Sequence, residues 1–532
     1  MALLVRSAPS FVRELIVFIP IAFNLRPDEI IKKNVDKVKA GVYFVCKDIC
    51  LESIRMLLSF YISGWKVTPL STTGSIFSSR YLALTVGIIL AVMAIGFEGL
   101  AVTTVAPVIA GDLQGLPLFG WIFSAYLLAQ IIGTMIIGRQ IDRKGPALLF
   151  TIALILFAVG LVAAAVANDM YMLIAARALQ GFGAGSMYTC MYTAISLQYP
   201  DHLRAKILGA LGTAYVLPSM LGPYVAGVIA QTWSWRFVFW GVLPILLVAA
   251  TLSMPVFRKL KMPPAAGKPE SGVIGLSVLL AFGTGMFLSG LGMLPRVLGI
   301  ALLLAGLALM IVPLRRLLPA GTFALRPGLS SLIASRGLFF AAYVCTQNFL
   351  VLSLTETKGL SADKAGLIVA SAALSWSIIA ILQARWDAAD QGRGRHKRIM
   401  AGVVLMILGI GMLVWVPAVH VPLAIAGEIV AGIGIGLAHT TSGTVAFTLV
   451  REGSSGQVSG SLQFADSFTP GVAVGIGGAI IAISQTAGRS LEGGITIAMT
   501  FSVALVLLSL YASGRTRRVQ ATEAEASAQA VS

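Results

Sequence analysis

Long apolar runs separated by short polar breaks dominate the chain from Tyr81 onward. A helix needs about 20 apolar residues to cross the hydrocarbon core of a bilayer, and the runs are of that length. The pair 272–291 and 297–314 can also be a membrane-associated linker, which leaves twelve spanning helices as the alternative to fourteen. The fourteen predicted helices are 81–105, 117–138, 147–168, 171–197, 205–231, 237–257, 272–291, 297–314, 336–354, 362–384, 399–417, 421–450, 457–484 and 493–513.

Composition supports a chain whose solvent is lipid. Of its 532 residues, 57% are hydrophobic and 11% are charged, and the mean hydropathy is +0.89. An ordinary soluble domain has about 25% charged residues. The sequence therefore predicts an all-α polytopic membrane protein rather than a soluble one.

Basic residues in the loops predict the topology, because Lys and Arg accumulate on the cytoplasmic side. With the segment before Tyr81 inside, the outer loops hold Arg236, Arg296, Lys358, Lys364 and Arg489. The inner loops hold far more, among them Arg139, Lys144, Arg258, Arg315, Arg336, Arg395 and Arg517. The net charge of +17 is thus a topology signal, and without a basic soluble face nucleic-acid binding is not expected. We expect a multi-pass plasma-membrane protein, a monomer with both termini in the cytoplasm.

The two ends of the chain depart from this pattern. Residues 1–80 contain "LIVFIPIAF" (15–23), which is too short to span and lacks a convincing cleavage site after it. We expect a poorly ordered cytoplasmic extension here, with a surface amphipathic segment as the alternative. The polar tail, residues 514–532, is predicted to be disordered and cytoplasmic.

Enzyme and cofactor signals are not apparent in the sequence. The four cysteines, Cys46, Cys50, Cys190 and Cys345, are too scattered for a disulfide framework or a metal site. Motifs for nucleophilic hydrolysis, zinc hydrolysis and phosphate binding are missing. We therefore expect neither an enzyme nor a resident cofactor or metal.

One charged residue lies deep in an apolar run. Arg177 occurs in "LIAARALQGFGAGSMYTC" (173–190), and Glu98 in the first span is a carboxylate at a similar depth. Charged groups inside a membrane usually face a cavity or a partner. Burial and a nearby guanidinium act in opposite directions on the proton affinity of a carboxylate, as a proton carrier requires. A static ion pair, or an arginine that reaches the outer headgroups, is the alternative.

A repeat relates the two halves of the chain. "RALQGFGAG" (177–185) aligns without a gap to "EIVAGIGIG" (428–436), an offset of 251 residues that places Arg177 over Glu428. Two glycine-patterned halves at one offset predict a duplicated bundle that binds substrate between the halves. Chance matching of glycines is the alternative, since small residues are common at membrane helix contacts.

The loop "GRQIDRKGP" (138–146) resembles the inner-loop signature of the major facilitator superfamily. The resemblance rests on Gly138, Asp142, Arg143 and Gly145, and implies that these residues take part in the conformational switch. Pro146 replaces the usual basic residue. The corresponding loop of the second half, "ARWDAADQGRGRHKR" (384–398), keeps only the charge of the signature.

Two further motifs resemble the drug:proton antiporter branch of that family with fourteen helices. "GTAYVLPSMLGPYVAG" (212–227) is similar to the antiporter signature, with Gly212, Gly222, Pro223 and Gly227 in place. "FEGLAVTTVAP" (97–107) has Glu98 where an aspartate is usual. The resemblance covers about residues 81–513. It implies a pseudo-symmetric two-bundle transporter with bundles 81–257 and 336–513, joined by a linker, 258–335, that contains an extra helix pair.

The remaining candidates are polar residues within spans. Glu428 and Asp466 are candidate proton or cation sites, and a hydrogen-bonded role near Pro470 is equally open for Asp466. We expect His439 to be a packed, hydrogen-bonded histidine. Residues that could line a substrate cavity are Trp121, Tyr126, Gln130, Tyr215, Gln347 and Asn348.

Together these features predict a secondary transporter that exports lipophilic or cationic drugs and other toxic compounds in exchange for protons, by alternating access. Its partners would be a small-molecule substrate, protons and the lipid bilayer. Proton coupling is expected at Glu98, Arg177, Glu428 and Asp466. One alternative is a symporter that imports a nutrient or organic anion, with Arg177 binding the substrate. An alternative of another class is a membrane sensor that keeps the fold without transport.

Overall fold

The computed structural model describes residues 75–200, 203–204, 207, 210–211, 214, 216–260, 272–390, 392–416, 421–449 and 455–531. Only the last few residues of the predicted N-terminal extension, 75–80, fall within these ranges, and they contact the first helix. Thr85 donates a hydrogen bond to the Ile76 carbonyl at 2.7 Å and contacts the Tyr199 hydroxyl at 2.7 Å. Cys46 and Cys50 lie outside the described residues.

Fourteen long α-helices account for most of the described residues, with one in each predicted segment. Helices suit this apolar chain because they satisfy their backbone hydrogen bonds internally. The helices are α1 (Leu82–Asp112), α2 (Trp121–Lys144), α3 (Pro146–Ala165), α4 (Met170–Gln198), α5 (Val216–Thr232), α6 (Arg236–Phe257), α7 (Val273–Gly292), α8 (Val297–Leu317), α9 (Leu329–Leu352), α10 (Ala362–Ala389), α11 (Arg395–Val414), α12 (Val421–Thr448), α13 (Ser455–Thr486) and α14 (Leu491–Val531).

Twelve helices of the described residues are long and apolar enough to cross a membrane, including the extra pair α7 and α8. The other two are α4 and α5. The described part of α5 has 17 residues, which is short for a span. Helix α4 carries Arg177 and several other polar residues, yet it packs against both α2 and α3. The extra pair α7 and α8 is therefore among the twelve candidate spans, and the two of the fourteen helices that are not are α4 and α5.

Two helix boundaries differ from the expectation. Helix α9 begins at Leu329, so Arg336 lies inside a helix and not in an inner loop. Helix α14 continues to Val531 and includes most of the segment for which disorder is predicted. The last part of that segment, "VQATEAEASAQAVS" (519–532), is rich in Ala, Glu and Gln, which have high helix propensity.

The helices of the two halves repeat the same neighbours. In the first half α1 packs against α5 and α6, and α4 packs against α2 and α3. In the second half α9 packs against α13 and α14, and α12 packs against α10 and α11. The second set is the first advanced by eight helices, which agrees with the duplication predicted from the 251-residue offset.

The halves meet along two seams. Helix α2 packs against α13, and its counterpart α10 packs against α5. We call the end that carries Lys144, Arg258 and Arg395 the basic end and the other the far end. At the far end Asp112 accepts hydrogen bonds from Trp235 Nε1 at 2.9 Å and Arg236 Nη1 at 3.0 Å.

The close contacts between the halves lie from the middle of the helices to the far end. Ser124 Oγ donates a hydrogen bond to the Gly471 carbonyl at 2.7 Å in the α2–α13 seam. Gln231 Nε2 donates one to Asp363 Oδ1 at 2.6 Å in the α5–α10 seam. The halves are therefore joined at the far end in this conformation.

Candidate proton-coupling and substrate sites

Arg177 and Glu98 form a buried ion pair between α4 and α1. Their side chains are 2% and 0% exposed, and Arg177 Nη1 donates to Glu98 Oε1. The same nitrogen donates to Gln180 Oε1 at 2.5 Å, and Arg177 Nε donates to the Ile122 carbonyl at 3.0 Å. The guanidinium also lies 4.4 Å from the centroid of the Tyr126 ring. The pair thus ties three helices of the first half together.

Glycines allow α4 to approach its neighbours this closely. A Cβ on Gly183 would lie 2.7 Å from the Phe157 amide nitrogen of α3. A Cβ on Gly181 or Gly185 would collide with the backbone of α2, at Tyr126 and Gln130. Side chains at these positions would push α4 away and separate Arg177 from its partners.

The second half contains an equivalent pair without a cation. Glu428 of α12 is fully buried, and Gln347 Nε2 of α9 lies 3.0 Å from its Oε1 and 2.8 Å from its Oε2. Among the described residues no Lys, Arg or His forms an ion pair with Glu428. The repeat therefore places an arginine–glutamate pair in the first half and a glutamate–glutamine pair in the second.

Three acceptor atoms near these pairs are buried without a hydrogen-bond partner in the described part of the chain. They are Glu98 Oε2, Gln347 Oε1 and Asn348 Oδ1. Asn348 does use its amide nitrogen, which donates to the Val344 carbonyl at 2.7 Å. Buried polar atoms without a hydrogen-bond partner are rare in proteins, and a water molecule or an ion is one of the partners that such atoms take.

A third charged cluster lies nearer the basic end of the second half. Arg336 Nε and Nη2 donate to Asp466 Oδ1 and Oδ2 at 2.8 and 2.7 Å. Arg336 also donates to the His439 carbonyl at 2.7 Å, and its Nη2 lies 2.6 Å from His439 Nε2. The assignment of Arg336 to an inner loop was wrong, because this arginine is 5% exposed and pairs with Asp466.

His439 is packed and hydrogen-bonded, as the sequence suggests. Its ring lies 5.0 Å from the ring of Phe340 and 5.4 Å from that of Trp376. His439 Nε2 also lies 3.4 Å from Asp466 Oδ2. The cluster links α9, α12 and α13 within one half.

The predicted cavity residues do not form one wall. Tyr126 lies beneath Arg177, Gln347 contacts Glu428, and Gln130 Oε1 accepts a hydrogen bond from Ser467 at 3.3 Å across the α2–α13 seam. Trp121 lies at the far end, 3.9 Å from a Cβ built on Gly285 of α7. Trp121 therefore packs against the extra helix pair, away from the other candidates. Tyr215 lies outside the described residues.

The antiporter-like motif lies at the α5–α10 seam. A Cβ on Gly227 would lie 2.5 Å from Asp363 Cα, and a Cβ on Gly366 would collide with the Pro223 carbonyl. Gly222 has more room, with Phe97 Cδ2 at 3.5 Å. Gly212 lies outside the described residues. The described part of the motif thus sets how closely the two halves approach.

The inner-loop motif joins α2 to α3. Gly145 has a φ of +76°, which a residue with a side chain rarely adopts, and Pro146 begins α3. Gly138 is exposed. The side chains of Asp142 and Arg143 lie outside the described part of the chain.

The corresponding loop of the second half is more organised than its sequence suggests. Asp387 accepts from Arg395 at 2.6 Å and from Arg398 at 2.7 Å. Arg398 also pairs with Asp390 at 2.7 Å, and this hydrogen bond lowers the pKa of the partly exposed Asp390 carboxyl. Two aspartates and two arginines therefore connect α10 to α11 at the basic end.

A metal site is not found among the described residues, where no group of three or more His, Cys, Asp or Glu side chains could hold an ion. Cys190 and Cys345, the cysteines that the structure describes, are free and buried.

Comparison with known proteins identifies the family. The profile of the Major Facilitator Superfamily matches residues 84–474. The multidrug transporter protein MdtP of Bacillus subtilis is 35% identical over 172 residues, which cover 32% of each chain. Efflux pump dotC of Dothistroma septosporum is 29% identical over 354 residues, which cover 62% of this chain and 58% of the relative. The chain therefore spans about a third to three fifths of the length of these curated relatives.

Solved structures share the fold at low sequence identity. A bacterial homologue of the human lysosomal transporter Spinster, in an inward-facing and unoccupied conformation, superposes with a TM-score of 0.60 at 14% identity, covering 84% of this chain and 99% of that chain. An autoinhibited peptide transporter of the POT family gives 0.59 at 14% identity, over 81% and 96%. With its apolar helices and the matched profile, the chain is an integral multi-pass membrane protein that belongs to the Major Facilitator Superfamily.

Proposed function

We propose that this chain is a secondary transporter that exports lipophilic or cationic compounds in exchange for protons. The relatives that share its sequence are named as multidrug transporters and efflux pumps, which supports export. In this proposal Glu428 carries the exchanged proton, and the observation that carries the proposal is its burial beside Gln347 without a cation among the described residues.

The three carboxylates inside the helices, Glu98, Glu428 and the partly buried Asp466, differ in their partners. Glu98 pairs with Arg177, and Asp466 accepts two hydrogen bonds from Arg336. A nearby guanidinium favours the charged form of a carboxylate. An acidic residue at the centre of a spanning helix costs about 2.5–3.5 kcal/mol on insertion scales, and a proton relieves that cost where no cation does. Glu428 is therefore the carboxylate that we expect to bind and release a proton.

The proton and a cationic substrate compete for the carboxylate of Glu428, and this competition couples their movements. A cationic substrate that reaches Glu428 stabilises the ionised carboxylate, so its arrival favours release of the proton. The unpaired acceptors of Gln347 and Asn348 lie on the same turn of α9 and can accept hydrogen bonds from such a substrate. Exchange of proton for substrate at one carboxylate gives antiport.

Alternating access follows from two halves that touch at one end. The close contacts at Ser124 and Gln231 lie towards the far end. With the basic end in the cytoplasm, as the positive-inside rule favours, this is the conformation that receives substrate from inside. Export then requires the far-end contacts to open. We place the protein in the plasma membrane with both termini in the cytoplasm, as a monomer that acts as a transporter and not as an enzyme.

The importing symporter has less support. It requires Arg177 to bind the substrate, whereas Glu98, Gln180 and the Ile122 carbonyl already accept its hydrogen bonds. A substrate anion would have to displace a buried carboxylate.

The proposal is tested with the full chain in proteoliposomes that contain a pH-sensitive dye and a preset pH gradient. We expect lipophilic cations to collapse the gradient, and sugars and organic anions to leave it unchanged. Liposomes with the Glu428→Gln variant should keep the gradient when the cations are added. A gradient collapsed by anions and not by cations, or by neither class, contradicts the proposal.

A further inference from the structure

Helix α7 of the extra pair lies over the α2–α13 seam. It packs against both helices, and therefore against both halves of the molecule. Leu280 and Leu288 of α7 are each 1% exposed and belong to one apolar cluster with Ile131 of α2 and Phe464 of α13. Eight residues separate the two leucines, a rise of about 12 Å along a helix. The covered stretch of seam is about that long.

Leu288 packs into the α2–α13 seam between Gly475 and Ser124. A Cβ on Gly475 of α13 would lie 2.5 Å from Leu288 Cδ1 and 2.9 Å from Ser124 Oγ of α2. One turn away, Ser124 donates its hydrogen bond to the Gly471 carbonyl. Leu288 therefore occupies the space that the absent side chain of Gly475 leaves open, beside the polar contact between the halves.

Helix α8 supports α7 from the lipid side. A Cβ on Gly290 would lie 2.6 Å from the Gly299 carbonyl, and a Cβ on Gly306 would lie 2.6 Å from the Gly283 carbonyl. These contacts hold the two helices close together along their length. The opposite face of α8 is apolar and exposed, with Leu304 59% exposed, as expected of a face in contact with lipid.

The pseudo-symmetric seam has no such cover. Helices α5 and α10 meet at Gly227 and Asp363. In the described part of the chain the helix that packs against both of them is α1 of the first half, and neither helix of the extra pair packs there as α7 packs against α2 and α13. Leu367 of α10 is 60% exposed near this seam. The extra pair therefore makes the two sides of the molecule unequal.

We propose that α7 is a lateral seal that separates the α2–α13 seam from the lipid, with Leu288 as the residue that closes it. Apolar compounds dissolved in the membrane then reach the space between the halves from the α5–α10 side. The seal depends on packing alone, so it holds whichever compound is transported and in whichever direction.

The seal is tested with a nitroxide label on Val472 of α13, which is partly buried and packs against the apolar cluster that contains Leu280 and Leu288. The labelled chain, with its native cysteines replaced, is reconstituted in a bilayer, and collisions of the label with oxygen, which concentrates in lipid, are measured. We expect low oxygen accessibility at Val472 and high accessibility at a reference label on Leu367. Leu288→Gly should raise the accessibility at Val472 severalfold, and the milder Leu288→Ala should raise it less.

The matched control is Leu304→Gly on the lipid face of α8. It introduces the same helix-weakening residue without opening the seam. Accessibility at Val472 should stay low in this variant. The proposal is overturned if Val472 is as accessible as Leu367 in the parent chain, if neither Leu288 variant changes it, or if Leu304→Gly raises it equally. None of these readings requires transport, so they are distinct from a failure of the proposed function.

Discussion

Gln347 Nε2 lies 2.8 and 3.0 Å from the two carboxylate oxygens of Glu428, at the place where the first half has an arginine–glutamate pair. The duplication has thus produced two polar contacts of different charge between the first and fourth helices of each half. A fixed ion pair suits a structural role, whereas a carboxylate with a neutral partner can change its charge. The asymmetry separates the residue that we expect to titrate from those that hold the bundle together.

Removing one partner of the Glu98–Arg177 pair should destabilise the first half. Glu98→Gln leaves a buried guanidinium without its counter-charge, and breaking a buried ion pair costs about 3–5 kcal/mol. We expect a clear fall in the thermal unfolding midpoint of the detergent-solubilised protein.

The matched control for that variant is Asp112→Asn. The Arg236–Asp112 pair is 33% and 49% exposed, and such pairs contribute about 0–1 kcal/mol. Equal losses of stability from Glu98→Gln and Asp112→Asn would show that the buried pair contributes no more to the free energy of unfolding than the exposed pair.

Gly227 should control the conformation through the α5–α10 seam. Gly227→Leu places a side chain where a Cβ already lies 2.5 Å from the Asp363 backbone, so the far-end contact cannot form. We expect the population to shift towards states open at the far end, seen as longer distances between spin labels placed on the far ends of α5 and α10.

Gly241 offers the control for this change, since a Cβ there meets no atom within 4 Å. Gly241→Leu on α6 should leave the distances as they are. A Gly227→Leu protein with an unchanged distance distribution would argue against a gating role for the motif.

Asp466 should act as a structural residue. Asp466→Asn keeps the shape of the side chain but removes the counter-charge of Arg336, so we expect a lower thermal unfolding midpoint. The loss in the free energy of unfolding should be smaller than the about 3–5 kcal/mol of a fully buried pair, because Asp466 is 21% exposed. Substrate-driven proton movement should persist in the surviving folded protein. Its loss in a variant of unchanged stability would instead make Asp466 a proton carrier.

Much of this architecture could be predicted from sequence, because a membrane imposes strong rules on composition. Apolar length gives the helices, and the lone charges Glu98 and Arg177 have few partners to choose from in an apolar span. The pair is thus foreseeable from two residues at matching depth.

The second-half contacts were harder to foresee. Basic residues usually mark loop ends, which favours a loop position for Arg336. The apolar run "LFFAAYVC" nevertheless follows it, and "SLIAS" precedes it. Asp466, a carboxylate in need of a cation, was the signal that could have found it. The contact of Gln347 with Glu428 depends on helix rotation, and the place of Trp121 depends on which seam α7 covers. Neither is encoded in local sequence patterns.

If Glu428 exchanges its proton for substrate, then binding of substrate must release a proton from the protein. The most direct measurement is proton release on substrate binding, recorded with a pH indicator in weakly buffered solution of the purified full-length protein and a saturating lipophilic cation. We predict release from the parent chain, release from Asp466→Asn, and none from Glu428→Gln although that variant stays folded. Undiminished release from Glu428→Gln would contradict the account and move the proton to another carboxylate.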